Sequence, residues 1–189
     1  MNNKLMVKVW ITILATAIIL LGVGAIYIHD NLSTYFIYYA KHIPHAEGTN
    51  PEMVFILEHL DSMGESTIEG LRYDTDGNNS IIKENILLLT QAPDSIYIQY
   101  AVIPKDASRQ GKENYRTYYF GPNGRFYSYY YQKADTGKDV YDKSNIRKQE
   151  AQGYVDEVIN PIVDKMEVKP KVNLQWLFNK KYQERFSDE

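Results

Sequence analysis

The sequence predicts an α+β protein: an antiparallel β-sheet meander with helices on one face, preceded by an N-terminal transmembrane helix. Three observations carry this. Val9 to Ile28 runs for twenty residues without a charge. Apolar residues recur at helical spacing before residue 61 and again after residue 145. Between them, short β-branched and aromatic runs alternate with turn-forming clusters from residue 67 to residue 131. Helices, then strands, then helices is the order expected when helices pack on one side of an antiparallel sheet.

The run VWITILATAIILLGVGAIYI is about long enough to cross a ~30 Å hydrocarbon core as a helix. Trp10 and Tyr27 lie near its ends, where amphipathic rings prefer the membrane interface. Lys4 and Lys8 precede it and Asp30 follows, so the charge bias predicts a cytoplasmic N-terminus and an extracellular remainder. A cleaved secretory signal shares the basic start and apolar middle. Its apolar run is usually ~7–15 residues and ends at an A-x-A-like site, for which Gly22-Val23-Gly24 is a weak substitute. The expectation is a single-pass cell-membrane protein: cytoplasmic N-terminus 1–8, anchor 9–28, juxtamembrane segment 29–50, extracellular domain 51–189.

Leu32, Tyr35, Phe36 and Tyr39 share one helical face, which either continues the anchor or packs on the domain. Asn50-Pro51 signals a helix start, Asn as cap and Pro in the first turn. Strands are expected over Thr67–Thr75, Asn85–Thr90 and Ser95–Ile103, with turns at Asp76–Asn79 and Ala92–Asp94 and a polar loop at Lys105–Asn114. Tyr115–Phe120 and Arg125–Tyr131 flank Gly121-Pro122-Asn123-Gly124, which suits a type I turn closed by a left-handed glycine bulge. That register expects Tyr115, Thr117, Tyr119, Tyr127, Tyr129 and Tyr131 on one face, and Arg116, Tyr118, Phe120, Phe126, Ser128 and Tyr130 on the other; a plain two-residue turn would shift the second strand by one. A helix is expected over Asn145–Met166, kinked or divided by Pro161, and a last one capped by Asn173.

Composition narrows function. Lys+Arg number 21 against 24 Asp+Glu, a net charge of −3. The first 28 residues hold two lysines and no acid, so the outer part is more acidic still, which argues against a nucleic-acid partner. The chain has no cysteine, which excludes disulfides, thiolate metal sites and thiol nucleophiles. His42-x-x-His45 with Glu47 is a poor metal motif, because Pro44 breaks the helix that would align both imidazoles. Asp74-Thr-Asp76-Gly-Asn78 begins like a calcium loop, but the glycine is misplaced and the twelfth position is Asn85 rather than Glu. No hydrolase elbow, metalloprotease, P-loop or dinucleotide motif is present. The expectation is no enzyme, no cofactor, no metal and no catalytic residue.

Tyrosine stands out, with 17 against 6 Phe and 2 Trp. Tyrosine gives broad contact area at low entropic cost and is common in binding hot spots. It is also simply a good strand residue. A sheet with helices on one side leaves the other open, and twist makes that side concave. An acidic rim around it suits a basic protein partner.

The order of elements resembles the TipC-family immunity proteins of Gram-positive bacteria. The likeness rests on Ser95-Ile-Tyr-Ile-Gln-Tyr100, the pair Tyr115–Phe120 and Arg125–Tyr131, Tyr154-Val-Asp-Glu-Val-Ile159, and the ending Trp176-Leu-Phe-Asn179 through Arg185-Phe-Ser-Asp-Glu189. The resemblance implies a protein held on the outer membrane face. It would bind and block an antibacterial LXG-type toxin, exported by a type VII secretion system and degrading the wall precursor lipid II, through an acidic concave sheet surface. The aromatic hairpin departs from that pattern. On this reading Tyr119, Tyr127 and Tyr129 are contact residues, and Glu69, Asp74 and Asp76 are steering charges. Two other classes compete: a wall-polysaccharide-binding module whose tyrosines stack on sugars, and an accessory subunit of a membrane complex. Salt separates the first from a toxin binder, since only charge steering weakens with ionic strength.

Overall fold

A computed structural model describes residues 3–91, 99–104, 113–142 and 147–187. The helices are α1 (Asn3–Thr34), α2 (Phe36–Lys41), α3 (Pro51–Glu58), α4 (Lys148–Met166) and α5 (Gln175–Phe186), with one 3-10 turn at Leu60–Ser62. The strands are β1 (Leu71–Asp74), β2 (Ser80–Lys83), β3 (Ile86–Gln91), β4 (Gln99–Pro104), β5 (Glu113–Phe120), β6 (Phe126–Lys133) and β7 (Asp139–Asp142). They form one open antiparallel sheet in sequence order, β1 to β7, with helices on one face. The predicted α+β class and meander are therefore present. β2 and β7, four residues each, were not among the expected strands. The expected strand at Ser95 is described only from Gln99, and 105–112 and 143–146 lie outside the described residues.

α1 spans 32 residues, about 48 Å at 1.5 Å per residue. From Met6 to Thr34 it is long and apolar enough to cross a membrane, and its apolar window is not buried against the rest of the chain. Both expectations for the following stretch are met in part. Residues 31–34 continue the long helix, while Phe36, Ile37, Tyr39, Ala40 and Ile43 enter the domain core.

That core lies between the sheet and α2–α5. α4 turns Ala151, Val155, Val158, Ile159, Ile162 and Val163 inward, the i, i+3/i+4 stripe expected of a one-sided helix. α3 is almost wholly buried, and Phe55 packs against Phe178, Tyr182 and Phe186 of α5. Pro161 neither divides nor ends α4. Proline removes one N–H, which orphans the carbonyl four residues earlier, that of Glu157. Lys83 Nζ on β2 donates to that oxygen at 2.9 Å, so the freed acceptor is satisfied.

Asn50 precedes α3 but makes no side-chain cap. Its amide instead donates to Gly124 O at 2.7 Å and pairs reciprocally with Gln152 of α4. The hairpin turn behaves as expected: Gly124 N donates to Gly121 O, Gly121 N donates to Arg125 O, and Gly124 has φ +73°. The cap position of α5 falls to Leu174 and not to the expected Asn173; Asn173, one residue earlier, accepts the Gln175 N–H on its Oδ1 at 2.8 Å.

Candidate binding face

Sheet register decides which side chains share a face, because residues opposite one another in a ladder point the same way. One row reads Tyr73, Ile81, Leu88, Val102, Tyr118, Tyr129, Asp142. Its aliphatic members, with Tyr118 and Tyr129, are fully buried under the helices. The next row reads Asp74, Ser80, Leu89, Ala101, Tyr119, Ser128. It belongs to the opposite face, over which no described helix lies.

The expected hairpin faces need correction. Tyr119 pairs with Ser128 and Phe120 with Phe126, which leaves Tyr127 as an extra residue on β6. This bulge reverses the alternation beyond it. Tyr127 stays beside Tyr119, ring centroids 6.2 Å apart, on the open face. Tyr129 and Tyr131 go to the core side and Tyr130 comes to the open side. Tyr129 is 0% exposed. Its ring packs against Tyr118 and Tyr131, and the Arg147 guanidinium lies 4.9 Å above it. It is a core residue and not a surface for a partner.

Among the described residues, four tyrosines make up the aromatic part of the open face: Tyr119, Tyr127, Tyr130 and Tyr141. Tyr130 and Tyr141 are cross-strand partners with centroids 5.0 Å apart, and Tyr141 is 66% exposed. The Tyr130 hydroxyl donates to Asp139 Oδ1 at 2.8 Å, and this hydrogen bond raises its pKa above the ordinary phenol value. Burial raises that of Tyr119, with Tyr141 and Tyr127 adding to it. Tyr130 and Tyr141 were missed because the bulge and the short edge strand β7 leave no clear period in the sequence.

Asp74 stands in the same row as Tyr119, four strands away, or about 19 Å at ~4.8 Å per strand. Its Oδ1 accepts the Asp76 N–H at 3.0 Å, a side-chain-to-backbone turn that accounts for the calcium-like spacing. Asp74, Asp76, Asn78 and Ser80 rim a shallow hollow of about 390 Å³, floored by Leu87 and Leu89. Arg72, exposed on the same face of β1, is the cation nearest this acidic end along the strand. Glu69 is exposed in the turn before β1, at the opposite end of that strand from Asp74, so it does not join the others. Of the six expected residues, Asp74, Asp76, Tyr119 and Tyr127 share one face or its rim, whereas Tyr129 and Glu69 do not.

On the helical side, burial and the adjacent Glu150 carboxylate push the Tyr118 hydroxyl far above its usual range. Arg116 and Arg147 both reach Glu150, at 3.9 and 2.8 Å. This group joins β5 to α4 inside the fold. Among the described residues no three metal-ligating side chains converge. His42 Nδ1 lies 2.7 Å from Tyr38 O and His45 Nδ1 3.0 Å from Thr49 Oγ1, so each imidazole has a separate local partner. No family model, curated protein or solved structure matches the chain.

Proposed function

We propose that the chain is a membrane-anchored extracellular immunity protein. It binds a cognate antibacterial toxin of the LXG type, degrading lipid II, and blocks it by occlusion with the open sheet face. The observation that carries this reading is the face itself: tyrosines at one end and acids at the other, with Tyr119 and Asp74 in one register row. Six inter-strand gaps at ~4.8 Å make it about 29 Å wide. A square patch of ~800 Å², one partner's share of a stable interface, has a side of about 28 Å.

The two ends divide the work. Tyr119, Tyr127, Tyr130 and Tyr141 supply apolar area with hydroxyl handles. The hollow at Asp74 and Asp76 has a carboxylate rim and a leucine floor, which suits a Lys or Arg side chain of the toxin, stem on the leucines and charge on the rim. Blocking needs no catalytic group. Tethering through α1 concentrates the blocker at the membrane where lipid II is displayed, so modest affinity suffices.

A cell-surface polysaccharide-binding module is the second reading, favoured by the high exposure of Tyr141 beside Tyr130. Protection separates the two. The chain, with and without residues 1–28, is expressed in a sensitive Gram-positive host exposed to LXG toxins that act outside the membrane. Protection by the anchored form alone is the expected result. A displayed, folded chain that protects against none of them overturns the proposal in favour of wall binding.

A further inference from the structure

A second feature lies where α5 meets the outer end of α1. A cleft of about 740 Å³ opens between them. Ala25, Ile28 and Leu32 of α1 and Leu177 and Phe178 of α5 give it apolar walls, and Lys180 and Lys181 stand on its border. From Ala25 to Ser33 it covers about 12 Å of helix axis. It therefore begins inside the last turn of the charge-free run and ends about 7 Å beyond it. The headgroup zone on each side of a bilayer is ~5–7 Å thick, so the cleft sits at headgroup depth if α1 spans.

The loop before α5 is held at the same level. Asn31 Nδ2 donates to Val172 O at 3.2 Å, and the Tyr39 hydroxyl donates to Asn31 Oδ1. Around this tether the surface is apolar and predominantly cationic, the exposed Asp30 of α1, beside His29, being an acid at this level. Val168, Val172 and Trp176 are 58, 47 and 64% exposed. Residues 168–181 hold Lys169, Lys171, Lys180 and Lys181 and no acid, in a chain of net charge −3. Trp176 and Lys180 are four apart on α5 and share its exposed side. An exposed indole beside lysines, next to the end of a spanning helix, is the composition of a membrane-surface contact.

We propose that this corner rests on the outer leaflet. Trp176 lies among the headgroups, the cleft accepts part of an anionic phospholipid, and the four lysines face its phosphates, so that the domain is seated and not merely tethered. The proposal rests on the anchor reading above. Seating fixes the tilt of the sheet relative to the membrane and thereby sets where its open face points.

The chain has two tryptophans, Trp10 and Trp176, which allows anchor and seat to be tested separately. Full-length W10F and W176F chains are reconstituted in vesicles of phosphatidylcholine, with or without phosphatidylglycerol, containing lipids brominated at shallow or deep acyl positions. The expected result is quenching of Trp176 by the shallow bromolipid. It is stronger with phosphatidylglycerol, weaker at high salt, and lost when Lys169, Lys171, Lys180 and Lys181 are changed to Gln in a chain with unchanged near-UV circular dichroism. Trp10 responds to bromolipid in its own chain. A Trp176 open to acrylamide and blind to bromolipid, with Trp10 still quenched, overturns the seat and leaves the anchor. Loss of Trp10 quenching overturns both. Shielding of Trp176 that follows the protein-to-lipid ratio and ignores lipid charge assigns the surface to a second copy and overturns the proposal.

Discussion

Replacing Tyr129 and Tyr127 separately by alanine tests the face assignment on which the binding proposal depends. The two residues are neighbours but one, and simple alternation from the turn puts both on the same side. In the structure Tyr129 is 0% exposed and packed between Tyr118 and Tyr131 under Arg147. Removing a buried aromatic ring costs about 3–5 kcal/mol. For a domain of this size 1 kcal/mol corresponds to roughly 2–4 °C, so Y129A should lower the melting temperature by about 6–20 °C. Tyr127 is 40% exposed and has the Tyr119 ring as neighbour. Its loss should cost about 1 kcal/mol, or roughly 2–4 °C. Near-UV circular dichroism of the chain in detergent follows domain melting without interference from the helical content of α1. Equal losses, or a larger loss for Y127A, would refute the bulge at Tyr127 and the face built on it.

Other expectations follow from single contacts. Gly124→Ala places a Cβ 2.9 Å from Asn50 backbone and Cβ atoms at φ +73°. It should cost about 2 kcal/mol or more, measurable by urea unfolding. Asn50→Ala removes the bonds to Gly124 O and Gln152 and leaves buried polar groups unpaired, so a loss of about 1–3 kcal/mol is expected in the same assay. Tyr39, Tyr73, Tyr118 and Tyr119 all have pKa values raised by burial. In the unfolded chain the phenol releases its proton first, at about pH 10. Proton binding then favours the native state, and linkage makes stability fall as pH rises through and above that value. Melting followed from pH 8 to 11.5 should show this decline, reduced in Y118F. Asp139→Ala should bring the Tyr130 phenol back toward its ordinary titration, read by absorbance at alkaline pH.

The class and order of elements were legible because they rest on long-range patterning. A twenty-residue charge-free run, a helical stripe in α4 and a Gly121–Gly124 turn each carry their own geometry. What failed was local and geometric. A one-residue bulge at Tyr127 leaves no compositional mark, since tyrosine occupies positions 127, 129, 130 and 131 and alternation cannot be counted through it. Four-residue edge strands such as β7 are too short to show a period. Pro161 does not divide α4, and the donor that satisfies the freed carbonyl, Lys83, is distant in sequence. Asn50 does occupy the cap position of α3, as the sequence implies, but its side chain bonds the hairpin and not the helix end, because Gly124 O is close only in the folded chain. Residue chemistry alone points to Asp74 and Tyr119, and their common row appears only once five strands are in register.

The central claim is that the open face binds the toxin. Its most direct test is association of the full chain, in nanodiscs, with the catalytic domains of LXG toxins that act outside the membrane, measured at low and high salt. Wild type should bind, with association slowed by salt and by D74N/D76N. The Y119A/Y127A pair should weaken binding by at least tenfold, through faster dissociation, while the fold is kept. Unaltered binding by both double variants, in chains that melt like wild type, would contradict the account.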